Sequence, residues 1–307
     1  MRLGKRLKHG ATYFLVRALT GLFNRLPRRF ALFLGAMAGL AAWRLLPKDR
    51  HRIARHLSLV YGDTLTAEEL TSIGCRFFIN SGKNVVDLLR CREHYHSEIA
   101  PLISVDGLEH FDKAYKRGNG VIGISGHIGN FELLGVYFTS LGYRAAAIGR
   151  EMYDRRLDEL LVAQRQALGV TNIATTASAL RFMRWLKDGG VLGVLMDFDS
   201  ISVRSEFVPV FGRPALTPVG QTILGLKTGA AFVPVACVRT EDNRYRVIVR
   251  PEIKIKPSGE FDRDVINVTA ACSKELEEII VQYPDQWIWL KNRWLTPPSY
   301  RTFPGNG

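Results

Sequence analysis

Apolar positions along this chain change rhythm near residue 100. Before it they recur at helical spacing, and residues 1–98 read as helical. Thr66-Ala-Glu-Glu69 forms a capping box opening a helix that runs to about Arg90, with Phe77, Phe78, Val85, Leu88 and Leu89 available to its buried face. Pro101 and Gly107 mark the passage into a second pattern. From Gly118 onward, short apolar runs at 121–125, 144–148, 191–196 and 231–238 read as strands. Between or after them, 131–141, 154–168, 178–187 and 218–228 read as helices. The strands are continuously apolar rather than alternating, which predicts a sheet covered on both faces. Residues 245–255 alternate, as expected of a strand near a sheet edge, and 264–282 reads as a last long helix. The expected class is α/β: a mostly parallel central sheet flanked by helices over 99–307, preceded by a helical region over 1–98.

Charge changes the picture of that first region. The chain carries a net +13, and residues 1–60 hold thirteen Lys or Arg against one acid, Asp49. These cations are interleaved with Phe, Leu, Ala and Trp, so an anionic membrane surface is a better partner than nucleic acid. Residues 30–43 are free of charge but number fourteen, short of the ~20 needed to cross hydrocarbon. The start resembles a signal sequence, yet Arg17 interrupts the apolar run and no convincing cleavage site follows. A peripheral or shallowly inserted helix is expected, with a single N-terminal anchor as the alternative. Cys75, Cys91, Cys237 and Cys272 show neither a close pair nor ligand spacing, which reads as core thiols in a reducing compartment, with no metal.

Candidate chemistry lies in Ser125-Gly-His-Ile-Gly-Asn-Phe-Glu132, which follows an apolar strand and opens a helix. Ligands of open α/β sheets bind beyond the carboxyl ends of strands, where His127 would sit. On one continuous helix, His127 and Glu132 would lie ~140° apart. They meet only if His127 is in the loop and Glu132 in the first helical turn, with Asn130 as N-cap. A carboxylate on one ring nitrogen would then fix the tautomer and leave the other nitrogen to take a hydroxyl proton. Helix N–H groups nearby would stabilise developing negative charge. The spacing alone favours the plainer reading, a His that caps a helix beside an ordinary first-turn acid.

Gly-His-x-Gly-Asn-x-Glu after a buried strand resembles the lauroyl/myristoyl lipid A acyltransferases of the lysophospholipid acyltransferase superfamily. The resemblance extends to LPRRFALFLGAMAGL, Arg52-Ile-Ala-Arg-His-Leu, Gly149-Arg150, Val208-Pro-Val-Phe-Gly-Arg-Pro214 and Tyr283-Pro-Asp-Gln-Trp-Ile-Trp289. It implies an O-acyltransferase that needs no cofactor beyond an acyl thioester on acyl carrier protein or coenzyme A. The acceptor would be a hydroxyl of lipid A or its precursor, and the location the cytoplasmic face of the inner membrane. His127 and Glu132 look like the catalytic dyad, and Asn130, Arg150, Asp197 and Arg293 like substrate-binding residues. Arg150 reads equally as a surface ion pair with Glu151 or Asp154. Where the family usually has Asp-Gln-Asp this chain has Asp197-Phe-Asp199, and the usual His-Arg-Arg stands as Asn292-Arg293-Trp294. The Asp pair reads as ordering neighbouring Arg or backbone groups; a metal-dependent glycosyltransferase motif is the alternative. Trp287, Trp289, Trp294 and Tyr300 read either as core or as cover for an acyl pocket. These departures leave open other acceptors, namely a glycosylated phosphoinositide, an ornithine lipid or a lysophospholipid. A non-catalytic membrane-binding protein of this fold is the rival from another class.

Overall fold

The computed structural model describes residues 3–149, 151–152 and 154–300. Four helices come first: α1 (Leu3–Arg25), α2 (Arg28–Leu45), α3 (Pro47–Tyr61) and α4 (Ala67–His94). The Thr66 capping box is present, its backbone N–H donating to Glu69 Oε2 at 2.7 Å. Then follow β1 (Ile103–Asp106), α5 (Leu108–Tyr115), β2 (Val121–Ser125), α6 (Glu132–Ser140), β3 (Ala145–Gly149), α7 (Arg155–Ala167), β4 (Thr171–Ala174), α8 (Ala179–Lys187) and β5 (Val191–Leu195). The chain continues through β6 (Ser205–Val210), β7 (Arg213–Pro218), α9 (Gly220–Thr228), β8 (Ala231–Arg239), β9 (Tyr245–Val249) and α10 (Phe261–Gln282).

Seven strands form one sheet in the order β1-β9-β8-β2-β5-β3-β4. β2 pairs in parallel with both β5 and β8, whereas β9 runs antiparallel to β8 and parallel to β1. The mostly parallel sheet is therefore as expected. Four strands were not expected. β1 and β4 are four residues each, and β4 (Thr-Asn-Ile-Ala) carries little apolar signal. β6 and β7 form a separate hairpin whose Pro209 and Pro214 obscure a strand pattern. β9 stops at Val249, well short of residue 255, because Pro251 follows.

Period-two alternation divides the core. On β2, Ile122 and Ile124 enter one cluster with Phe232 of β8 and with Leu276 and Ile279 of α10. Trp43, Ile53, Leu57 and Phe77 from α2, α3 and α4 join the same cluster, so the N-terminal helices and the sheet share apolar packing. Val121 faces the opposite cluster with Phe111, Leu133, Phe138 and Val233. Every residue of β2 is buried, which explains its unbroken apolar run.

α2 and α4 cross at glycines. A Cβ on Gly39 or Gly82 would strike the backbone of the facing helix, so the two axes approach as closely as backbone allows. Between them lies a buried ion network. Asp87 accepts from Arg28 Nε and Nη2 (2.9 and 2.8 Å), Arg239 Nη2 (2.8 Å) and the Tyr245 hydroxyl (2.8 Å). This ties α2 and α4 to β8 and β9. Among the described residues no single helix is long and apolar enough to cross a membrane; α2 and α3 together pass by length and composition but are bent by 89°.

Candidate active site

The strand β2 ends at Ser125, and residues 126–130 turn across the carboxyl edge of the sheet. Three backbone contacts pin this loop. The amide of Gly129 donates to Gln286 O (2.8 Å), that of Asn130 to Cys237 O (2.8 Å), and that of Ile288 to His127 O (3.2 Å). Gly129 has φ +58°, and a Cβ there would strike the carbonyl of Cys237, so the residue must be glycine. The C-terminal Tyr283–Trp289 segment is thus a brace for the loop. Its Gln286 further bonds both ways with the backbone of Arg239 at 2.7 Å.

Asp197 follows β5, the sheet neighbour of β2. Its carboxylate accepts from the His127 ring Nδ1 (2.8 Å), the His127 amide (2.7 Å) and Trp287 Nε1 (2.7 Å). Burial alone would raise its pKa, but the hydrogen bonds and charge of His127 and the Trp287 donor hold the carboxyl below its usual range. An ionised carboxylate can only accept, so Nδ1 carries the proton and Nε2 presents its lone pair. That lone pair faces Lys291, whose Nζ lies 3.0 Å away. Burial lowers the Lys291 pKa, offset in part by the charge of Asp197. Phe131 meets the imidazole edge-on, with ring centroids 5.0 Å apart.

The expected pairing of His127 with Glu132 is replaced by two separate pairs. Glu132 is the first residue of α6, and its carboxylate is held by Arg165 of α7 in a two-pronged contact of 3.0 and 2.7 Å. Arg165 also donates to Asn172 Oδ1 of β4 at 2.7 Å. The local spacing sees only a nearby acid, whereas sheet pairing delivers one from seventy positions away. Three other expectations are corrected. Asn130 does not cap α6 with its side chain: Phe131 occupies the cap position, and Asn130 Nδ2 donates instead to the Tyr245 hydroxyl at 3.0 Å. Asn130 is 4% exposed, which ties it to the buried ion network rather than to a substrate. Asp197, expected to meet substrate, is buried behind the imidazole. Arg293 is 3% exposed and donates to Leu216 O (2.8 Å) and the Thr217 hydroxyl, both on β7. Burial pushes its pKa down to about 10, against the opposing charges of Asp197, Asp199 and Glu277.

Asp199 accepts from the amide and hydroxyl of Thr296 (3.0 and 2.7 Å), so the two acids of Asp197-Phe-Asp199 hold different chain segments rather than a common ion. Trp287 and Trp289 are buried and packed edge to face, with centroids 4.6 Å apart. Arg150 lies outside the described residues. Lys291, Trp287 as a donor, and Arg165 were not anticipated as functional. Of these, only the C-terminal motif carrying Trp287 and preceding Lys291 gave any signal in the sequence.

The bacterial lipid A biosynthesis acyltransferase model matches residues 3–296. The chain belongs to that family. It is accordingly an O-acyltransferase, and the His127 loop lies within the matched region. It is similar to the lipid A biosynthesis palmitoleoyltransferase of Escherichia coli, 27% identical over 90% of this chain and 89% of that one. The lipid A biosynthesis lauroyltransferase of the same organism is 26% identical over 91% of this chain and 89% of its own. A phosphatidylinositol mannoside acyltransferase of Mycobacterium tuberculosis is 23% identical over 73% of this chain and 71% of its own. The family's relatives thus share the transfer of acyl groups while their names differ in acceptor.

Proposed function

We propose that the chain transfers a fatty acyl group from a thioester, on acyl carrier protein or coenzyme A, to a hydroxyl of lipid A or its precursor. The observation that carries this reading is the 2.8 Å contact of His127 Nδ1 with the buried Asp197 carboxylate, which gives Nε2, at the sheet edge, the part of proton acceptor. Nε2 takes the proton of the acceptor hydroxyl while its oxygen attacks the thioester carbonyl carbon. The tetrahedral intermediate collapses with cleavage of the C–S bond, and the imidazolium returns its proton to the departing thiolate. Asp197 stabilises the imidazolium between those events.

Negative charge on the carbonyl oxygen needs a donor. The backbone amides of Gly129, Asn130 and His127 already donate to Gln286 O, Cys237 O and the Asp197 carboxylate. Lys291 is the cation in contact with the reacting nitrogen, and we assign it this task. In the resting chain its ammonium occupies the place of the incoming hydroxyl, then turns toward the oxyanion as substrate enters. Arg150, directly after β3, is proposed from the family resemblance as a contact to acceptor phosphate or donor carbonyl.

The reading places the protein at the cytoplasmic face of the inner membrane. Phe14, Leu15, Phe30 and Phe33 of α1 and α2 are exposed beside a strongly basic helical region, a composition suited to an anionic bilayer. A glycosylated phosphoinositide is the second reading for the acceptor, on the similarity to a phosphatidylinositol mannoside acyltransferase. Purified protein incubated with a labelled acyl thioester and either a lipid A precursor or a phosphatidylinositol mannoside distinguishes them. Label should pass to the first lipid and stop on His127→Ala. Label on the second alone would overturn the acceptor, and label on neither would overturn the function.

A further inference from the structure

A cavity of about 640 Å³ opens between α2, α4 and the turn joining β8 to β9. Its cationic lining is Arg28, Arg29, Lys83 and Arg244, with Asp242 as the one lining carboxylate. Arg28 is committed to Asp87 and to the carbonyl of Asn243. Asp242 is engaged by the Thr240 hydroxyl at 2.5 Å and lies 3.9 Å from Arg244 Nε. The side chains of Arg29 and Lys83 make no hydrogen bond or ion pair among the described residues. Lys83 is partly buried, and both that burial and the charge of Arg239 disfavour its ammonium form. An anion seated in the cavity would relieve that cost.

One wall of the cavity is apolar, formed by Leu32 and Phe33 of α2. Phe33 is also exposed, and Phe30 and Met37 continue the same stripe at helical spacing, at 51%, 55% and 43% exposure for Phe30, Phe33 and Met37. Phe30 and Phe33 stack with ring centroids 6.4 Å apart. A basic recess flush with an exposed apolar stripe fits a molecule that is anionic at one end and greasy at the other. A free phosphate has no use for the stripe.

We propose that this cavity is the headgroup site of an anionic glycerophospholipid, its phosphate held by Arg29, Lys83 and Arg244 and its acyl chains laid along Phe30, Phe33 and Met37. The site goes beyond the acyl-transfer reading, since neither His127, Asp197 nor Lys291 lines it. Its position nonetheless serves that chemistry. β8 runs parallel to β2, so the turn after β8 lies on the same edge of the sheet as His127. A phospholipid held here turns that edge toward the bilayer.

The test uses the full chain carrying His127→Ala, so that binding is read apart from catalysis. The probes are dihexanoyl phosphatidylglycerol below its micelle concentration, dihexanoyl phosphatidylcholine, and glycerol 3-phosphate, titrated by calorimetry. Phosphatidylglycerol should bind most tightly, and Arg29→Met with Lys83→Met should weaken it by about tenfold or more. Arg184→Gln with Lys187→Gln, removing two exposed charges from α8, should leave it unchanged. Phe33→Ser should weaken the lipid but not glycerol 3-phosphate. Equal binding of phosphatidylcholine would overturn recognition by charge. Glycerol 3-phosphate binding as tightly as the lipid would overturn the lipid assignment. Wild-type affinity in the folded Arg29/Lys83 variant, or equal loss in the α8 variant, would overturn the location.

Discussion

His127 Nδ1 and Asp197 Oδ1 lie 2.8 Å apart, although seventy positions separate the two residues. β2 and β5 are adjacent and parallel, so residues just beyond their carboxyl ends become neighbours. The same carboxylate binds the His127 amide, which fixes the loop as well as the ring.

Asp197→Asn should therefore cost more than a hydrogen bond. An amide can present its N–H to Nδ1, which forces the proton onto Nε2 and removes the base. The transfer rate should fall by roughly 10³–10⁴ with the fold retained. Steady-state assays with far-ultraviolet circular dichroism as the folding control check this, and a loss below tenfold would remove Asp197 from the mechanism.

Lys291→Met should lower kcat while leaving KM for the acyl donor nearly constant, because the ammonium acts on charge that develops only in the transition state. A loss of about 10²–10³ is expected, the magnitude for one oxyanion donor. Lys291→Arg should recover part of it. An unchanged kcat in Lys291→Met would show that the contact with Nε2 is a feature of the resting chain alone.

Glu132 and Arg165 should behave as one unit in stability. Each single replacement, Glu132→Gln or Arg165→Met, deprives its partly buried partner of the opposite charge. The double variant should lose less than the sum of the two, with a coupling of about 1–3 kcal/mol. Urea unfolding of the four proteins closes the cycle, and additive losses would contradict the pairing of α6 with α7.

Acid should act through the buried carboxylates. Burial would raise Asp87, but Arg28, Arg239 and Tyr245 together hold it below its usual range, and Asp197 is held down likewise. A lowered folded-state pKa favours folding fully above the unfolded value near ~3.9 and loses that contribution as pH falls through the folded value. The thermal midpoint should thus be insensitive to these groups from neutral pH to about 5, and drop below about 4. Asp87→Asn should destabilise by about 3–5 kcal/mol at neutral pH, by stranding buried arginines, and flatten the acid slope. An unaltered slope in that variant would place the acid sensitivity elsewhere.

The sequence by itself determined much of this protein. Unbroken apolar runs required strands covered on both faces, and residues 121–125 and 231–239 are buried throughout, while 191–195 is a strand that leaves Gly193 exposed. The Thr66 capping box, the basic and apolar start, and His127 in a loop after a buried strand were all legible, because each depends on neighbours a few positions away. What only the tertiary structure decided is which groups meet across the sheet. Glu132 was the nearest acid in the chain, yet its place in the first turn of α6 commits it to Arg165. Asp197, Trp287 and Lys291 reach His127 from two other segments, through strand order and a C-terminal brace. Arg293 and Asn130 were expected to meet substrate and became buried fastenings for the same reason. Spacing along a chain fixes the direction of a side chain on its own element; the partner it finds is fixed by which elements pack beside it.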